Sequence, residues 1–172
     1  MPRQGRRSPC NVPSTRDRTE RTLGASGWDY YAAYDEDLDR VLEVLQQGVI
    51  AAQEYYWAED DLDRPTTLAE FRTMRRDEDL EGLAEEGTHS ILDIEKIQPP
   101  GSADEFGTLV ALSEAEVVAA FGTDTPTRAQ FDAVYQEGMN TIVDFPRWSG
   151  RVTTVFDEQQ PIGVVVWGYS GD

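Results

Sequence analysis

The sequence predicts a single α+β domain in which helices pack on one face of an antiparallel sheet of about four strands. Three observations indicate this class. Helical periodicity dominates residues 35–87, apolar strand-like runs follow from residue 91 onward, and the last two runs are joined by a short link typical of a hairpin. A chain of 172 residues with 39% hydrophobic residues is also long enough to bury one core.

The helices are predicted from apolar spacing and from their N-terminal signals. Asp35 or Asp37 can cap a first helix, whose apolar positions repeat as on one helix face: Leu38, Val41, Leu42, Leu45 and Val49. Three further helix starts are predicted from two capping boxes and from a proline at the first helical position: Thr67 with Glu70, Ser113 with Glu116, and Pro126 after Thr125.

Four strands are predicted from apolar runs that are bounded by turn residues. They cover residues 91–97, 108–112, 151–156 and 162–167. The link DEQQP between the last two runs predicts that they form a hairpin. The final run, IGVVVW, would be apolar on both faces of a strand. It is therefore predicted to lie inside the sheet and not at its edge.

Charge divides the chain into two parts. Residues 1–22 carry six Arg against Asp17 and Glu20, whereas the remaining 150 residues carry nine Lys and Arg against 31 Asp and Glu, a net charge of −22. Residues 1–26 have almost no aliphatic side chains, so they are predicted to be a disordered basic tail. Residues 27–172 are predicted to form the single acidic domain.

The composition excludes several classes of function. An acidic body repels nucleic acid and anionic membranes and attracts basic proteins. No apolar run approaches the length of a membrane span, and no apolar segment of a secretory signal follows the N-terminal arginines. The single cysteine, Cys10, has no intramolecular partner, which is typical of a reducing compartment, so a cytoplasmic location is expected.

Three segments carry a family resemblance: GTHSILDI at residues 87–94, FGT at 121–123 and WGYSGD at 167–172. In these segments the chain resembles a group of small acidic proteins of actinobacteria and related bacteria. The resemblance covers the body from Trp28 onward and implies a shared fold, and it implies nothing about activity or catalytic residues. Small acidic α+β proteins of this sort look like immunity or antitoxin proteins, which is an analogy at the level of the fold.

His89 is the only imidazole in the chain, so an acid–base site would have to include it. Glu86 and Asp93 are the nearby acids, and the three residues are the candidates for a small enzyme or a ligand-binding site. The alternative is a structural histidine that is hydrogen-bonded to Glu86 or Asp93. Ser90 is not expected to pair with His89, because neighbours in a strand point to opposite faces. With no phosphate-binding loop and too few Cys and His for zinc, no metal or cofactor is predicted.

Aromatic residues beside acids indicate a surface for a basic protein, because arginine binds well to such groups. The predicted contact residues are four tyrosines and three aspartates: Tyr30, Tyr31, Tyr55, Tyr56, Asp60, Asp61 and Asp63. The favoured function is therefore a non-enzymatic, immunity-like module that binds and neutralises a basic protein. The alternatives are the small enzyme or ligand-binding protein at His89, and a subunit of a larger assembly. The sequence leaves the oligomeric state open.

Overall fold

The computed structural model describes most of the acidic body. The described residues are 26–59, 61–76, 80, 83, 85–138 and 142–171. The predicted disordered tail, up to residue 25, lies outside them, and so does Asp60 of the predicted contact residues.

Within the described residues, five strands form one sheet and four α-helices pack around it. The strands are β1 (Gly27–Ala33), β2 (Lys96–Gln98), β3 (Thr108–Ala111), β4 (Ser149–Asp157) and β5 (Gln160–Tyr169). The helices are α1 (Leu38–Ala52), α2 (Leu68–Met74), α3 (Glu114–Phe121) and α4 (Arg128–Glu137). None of the helices in this part of the chain combines the length and the apolarity needed to cross a bilayer.

The sheet is mixed and has one strand more than predicted. Its order is β1-β5-β4-β3-β2, in which β1, β5 and β4 pair antiparallel while β4, β3 and β2 pair parallel. The α+β class is retained, but the prediction of an antiparallel sheet of about four strands was wrong. The strand that was not predicted is β1, in which Trp28 and Ala32 are buried and Asp29 and Ala33 are not. Its sequence GWDYYAA contains two identical pairs and therefore no clear polar–apolar alternation.

Helices pack on both faces of the sheet, which corrects the predicted single layer. Along β5, Val164 and Val166 belong to a core that includes α1, whereas Val165 and Trp167 belong to a second core with α3 and α4. Because alternate side chains of a strand point to opposite faces, the two cores lie on opposite sides of the sheet. A strand that is apolar on both faces requires cover on both, and β5 has it.

The segment predicted as the strand 91–97 is a turn followed by a shorter strand. A 3-10 helix spans Ile91–Asp93, and β2 begins only at Lys96. The cause is a capping box, in which the Ser90 side chain caps the turn and the Asp93 side chain accepts from the Ser90 backbone. The turn places Asp93 in the interior.

Most of the predicted helix starts are confirmed. Asp37 caps α1, and the capping boxes of Thr67 with Glu70 and of Ser113 with Glu116 open α2 and α3. The start of α4 differs, because Arg128 and not Pro126 is the first helical residue, and Thr127 is the N-cap. Thr127 forms its own capping box with Gln130, and the Pro126 carbonyl instead accepts a hydrogen bond from the Phe156 N–H of β4 at 2.9 Å.

Candidate functional site

Uncharged donors surround the buried carboxylate of Asp93. Its Oδ1 accepts from the Thr88 N–H and from Thr88 Oγ1, both at 2.8 Å. Its Oδ2 accepts from Ser170 Oγ at 2.6 Å and, at 3.5 Å, from the Ser90 N–H. Ser170 Oγ in turn accepts from Trp28 Nε1 at 3.1 Å. The carboxylate is therefore occupied by structural hydrogen bonds and is closed to a substrate.

Tyr30 of β1 lies against this network. Burial raises the pKa of Tyr30 well above its usual value, hydrogen bonding to the Ile91 backbone and to Ser90 opposes this in part, and the nearby charge of Asp93 raises it further. The phenol is protonated at neutral pH, as an ordinary tyrosine also is, and burial extends this protonation to higher pH. It joins β1 to the 3-10 helix and does not act as a base.

The three candidates for acid–base chemistry do not meet. Tyr56 lies between Glu86 and His89: its hydroxyl donates to Glu86 Oε2 at 2.7 Å, and its ring stacks on the imidazole with centroids 4.6 Å apart and planes at 16°. His89 Nδ1 lies 3.4 Å from Ser26 Oγ, and its buried Nε2 has no partner among the described residues. The predicted hydrogen bond from His89 to Glu86 or Asp93 is not formed.

The predicted contact tyrosines do not form a common surface. Tyr55 is only 7% exposed, its hydroxyl bonds to the Pro65 carbonyl, and burial raises its pKa, so it contributes to the core and not to an exposed contact. Tyr30 and Tyr31 are neighbours in β1 and pack against opposite cores. Tyr56, at 40% exposure, is the one of the four that is exposed.

Two acidic segments meet at Tyr56. The Tyr56 N–H donates to the Thr88 carbonyl at 2.8 Å, and the Leu83 N–H donates to Glu59 Oε1 at 2.9 Å, so residues 54–64 lie beside residues 83–89. We call the exposed acids of these two segments, together with Tyr56, the acidic surface; Leu62 and Arg64 are exposed beside them. Its members are Glu54, Tyr56, Asp61, Asp63, Glu85 and Glu86. None of its acids forms an ion pair with another described residue.

A cavity of about 570 Å³ lies beside α2, on a part of the chain that the sequence interpretation did not single out. We call it the arginine cavity. It is lined by Gln46, Leu68, Phe71, Arg72, Arg75, Arg76, Leu83, Leu92, Ile94, Glu95, Phe106 and Trp148. The spacing of Arg72, Arg75 and Arg76 was a usable signal, because residues three and four apart share one helix face.

The described residues contain no cluster of three or more His, Cys, Asp and Glu side chains able to hold a metal ion. A comparison of the chain with protein-family models, with curated proteins and with solved structures found no match. Function is therefore inferred from the side chains themselves.

Proposed function

We propose that the protein is a non-enzymatic binding module that contacts a basic protein through the acidic surface. The observation that carries this proposal is the local charge. Five exposed carboxylates on two adjoining segments lack an ion pair with any described residue, and one of them, Glu86, accepts a hydrogen bond from the exposed Tyr56. A basic partner relieves the repulsion among these acids, and a Lys or Arg side chain over the Tyr56 ring adds a cation–π contact.

The arrangement around His89 supports binding over catalysis. Glu86 bonds to Tyr56 and Asp93 faces the interior, so neither acid orients the imidazole. In a triad-type site a histidine base is oriented by such a partner, and this partner is missing at His89 among the described residues. The Tyr56–His89 stack instead gives the exposed ring a fixed orientation, which lowers the entropy cost of a contact through Tyr56.

The test is retention of a partner from a lysate of the host at low salt, followed by elution with salt and identification of the released protein. Its affinity for the purified chain is then measured by calorimetry. The variant Asp61→Asn, Asp63→Asn, Glu86→Gln is expected to bind about tenfold more weakly, because charged contacts at an interface govern the rate and salt dependence of association.

A matched control removes three charges elsewhere, with Glu137→Gln, Asp157→Asn and Glu158→Gln on α4 and the β4–β5 hairpin. This control is expected to keep its affinity within about twofold. Equal weakening of both variants would indicate attraction to the overall charge and would contradict a partner site at the acidic surface. Retention of no basic protein would contradict the proposal as a whole.

A further inference from the structure

The arginine cavity has the size and the wall of a small-molecule site. Ligand pockets are concave, have volumes of roughly 300–1,000 Å³, and combine a mainly apolar lining with a few polar groups. The volume of about 570 Å³ lies within that range. Leu68, Phe71, Leu92 and Ile94 supply buried apolar wall from α2 and from the 3-10 segment.

The charge of the wall is opposite to that of the molecule. Three arginines and Glu95 line the cavity, a local net charge of +2 in a chain of net −18. Guanidinium groups that share a cavity repel one another unless an anion lies among them. The net negative charge of the protein as a whole repels a polyanion. A small anion inside the cavity interacts mainly with the charges nearest to it, because salt screens charges beyond about 8 Å.

Two of the arginines are held in place by the fold. Arg72 Nη2 donates to the side-chain oxygen of the buried Gln46 at 3.1 Å. Arg75 donates to the backbone carbonyls of Leu92, at 2.5 Å, and of Asp93, at 2.9 Å, and lies 3.8 Å from Glu95. Such anchoring fixes the positive end of the cavity before a ligand arrives.

Arg76 is the arginine available to a ligand. It is exposed, and its guanidinium forms no hydrogen bond or ion pair with the other described residues. Its planar fork of donors suits a carboxylate or a phosphate group.

An aromatic pair completes the cavity. Phe106 is 60% exposed and lies on Trp148, with ring centroids 5.0 Å apart. Trp148 is itself fixed, because its ring occupies the space that a side chain at Gly87 or Gly171 would fill. A large exposed phenyl ring on a fixed indole is a ready surface for another flat apolar group.

From these features we infer that the arginine cavity binds a small organic anion with an aromatic body. The anionic group, a carboxylate or a phosphate monoester, lies at Arg72 and Arg76, and the aromatic body lies against Phe106 and Trp148. The cavity shares no residue with the acidic surface, although Leu83 and the Trp148 ring on Gly87 place the two side by side, and the inference does not rest on the proposed basic partner.

The first test compares three ligands that share one aromatic body: naphthoate, naphthyl phosphate and the neutral naphthamide. Each is titrated into the full chain up to millimolar concentration by calorimetry, with Trp fluorescence as a second readout. Saturable one-to-one binding is expected for at least one anion, and the stronger of the two identifies the preferred head group. The amide is expected to bind at least tenfold more weakly, because it cannot form charge-assisted hydrogen bonds with the arginines. Absence of saturable anion binding, or equal binding of the amide, would overturn the inference.

The second test uses variants at exposed positions, where folding is expected to be unaffected. Arg76→Gln and Phe106→Ala are each expected to weaken binding of the better anion about tenfold. Arg40→Gln is the matched control, because Arg40 is an exposed arginine of α1 that pairs with Asp35 away from the cavity. Equal affinity in all three variants would place the anion elsewhere on the protein and would overturn the assignment to this cavity.

Discussion

At the scale of single residues, Asp93 shows how this fold accommodates a buried acid. No basic side chain among the described residues forms an ion pair with its carboxylate. Hydroxyl and amide donors from Thr88, Ser90 and Ser170 occupy its oxygens instead, which offsets the cost of removing a carboxylate from water. Through Ser170 and Trp28 the same network joins the C-terminal end of the sheet to β1. Asp93, a candidate acid only under the alternative enzyme hypothesis, is thus an acceptor in a buried hydrogen-bond network.

The Ser170→Ala variant tests this role. It removes the donor to Asp93 Oδ2 and the acceptor of Trp28 Nε1, so two buried polar groups lose a partner together. We expect the free energy of unfolding to fall by about 3 kcal/mol, since an unsatisfied buried group costs about 1–3 kcal/mol and a charged one more. Urea denaturation measures the change. An unchanged slope of the unfolding free energy against urea concentration would show that the surface exposed on unfolding is the same in both proteins.

The control for this experiment is Ser102→Ala, which removes a hydroxyl from a surface turn. Ser102 Oγ donates only to the Pro99 carbonyl at 2.8 Å, and the loss is expected to stay within about 0.5 kcal/mol. If Ser170→Ala were as mild as this control, water would be replacing the hydroxyl, and the structural account of the Asp93 network would fail.

At the scale of elements, the features encoded locally were the predictable ones. The capping boxes of α2 and α3 and the β4–β5 hairpin depend on residues within a few positions of one another, and each is formed as predicted. The parallel pairing of β3 with β4 depends on strands that two helices separate, and no local pattern encodes it. The second helical layer was deducible, because IGVVVW is apolar on both faces and requires elements packed on both sides of the sheet.

The site was less predictable for the same reason. Glu86, His89 and Asp93 are close in sequence, but the turn at Ser90 directs Asp93 inward while Glu86 stays exposed. The partner of Asp93 across the network, Ser170, comes from the other end of the domain. The arginine spacing of α2 was visible, but the aromatic wall opposite comes from loops that only the tertiary fold brings near.

The β4–β5 hairpin carries a prediction of its own. Its turn residues, Glu158 and Gln159, have φ of 45° and 68°, so both adopt the left-handed conformation of a two-residue turn between Asp157 and Gln160. Side chains other than Asn and Gly are disfavoured there by roughly 1–2 kcal/mol per residue. Glu158→Asn with Gln159→Gly is therefore expected to raise the free energy of unfolding by about 1 kcal/mol.

Replacing the same pair by two alanines is the matched control, because it removes the same negative charge without easing the backbone. Chemical denaturation of both variants separates the two effects. A gain of the same size in the alanine pair would show that charge removal, and not turn conformation, stabilises the hairpin.

At the scale of the whole molecule, acidic and basic side chains are concentrated in different regions. The chain has a net charge of −18, and the acidic surface includes the exposed Tyr56. Three of the chain's 15 basic residues nevertheless line a single cavity beside α2. We propose a basic protein for the first region and a small anion for the second, so the two proposed binding events use groups of opposite charge.

The same imbalance predicts how salt affects stability. With a net charge of −18, the folded state brings repelling carboxylates together, and unfolding separates them. Raising NaCl from about 0.01 M to about 1 M shortens the Debye length from about 30 Å to about 3 Å and screens this repulsion. We expect a gain of about 1 kcal/mol, or about 3 °C in Tm, measured by circular dichroism. KCl should have the same effect, because ionic strength and not the identity of the cation sets the screening. A Tm that is unchanged or falls with salt would show that attractive pairs outweigh the acidic excess.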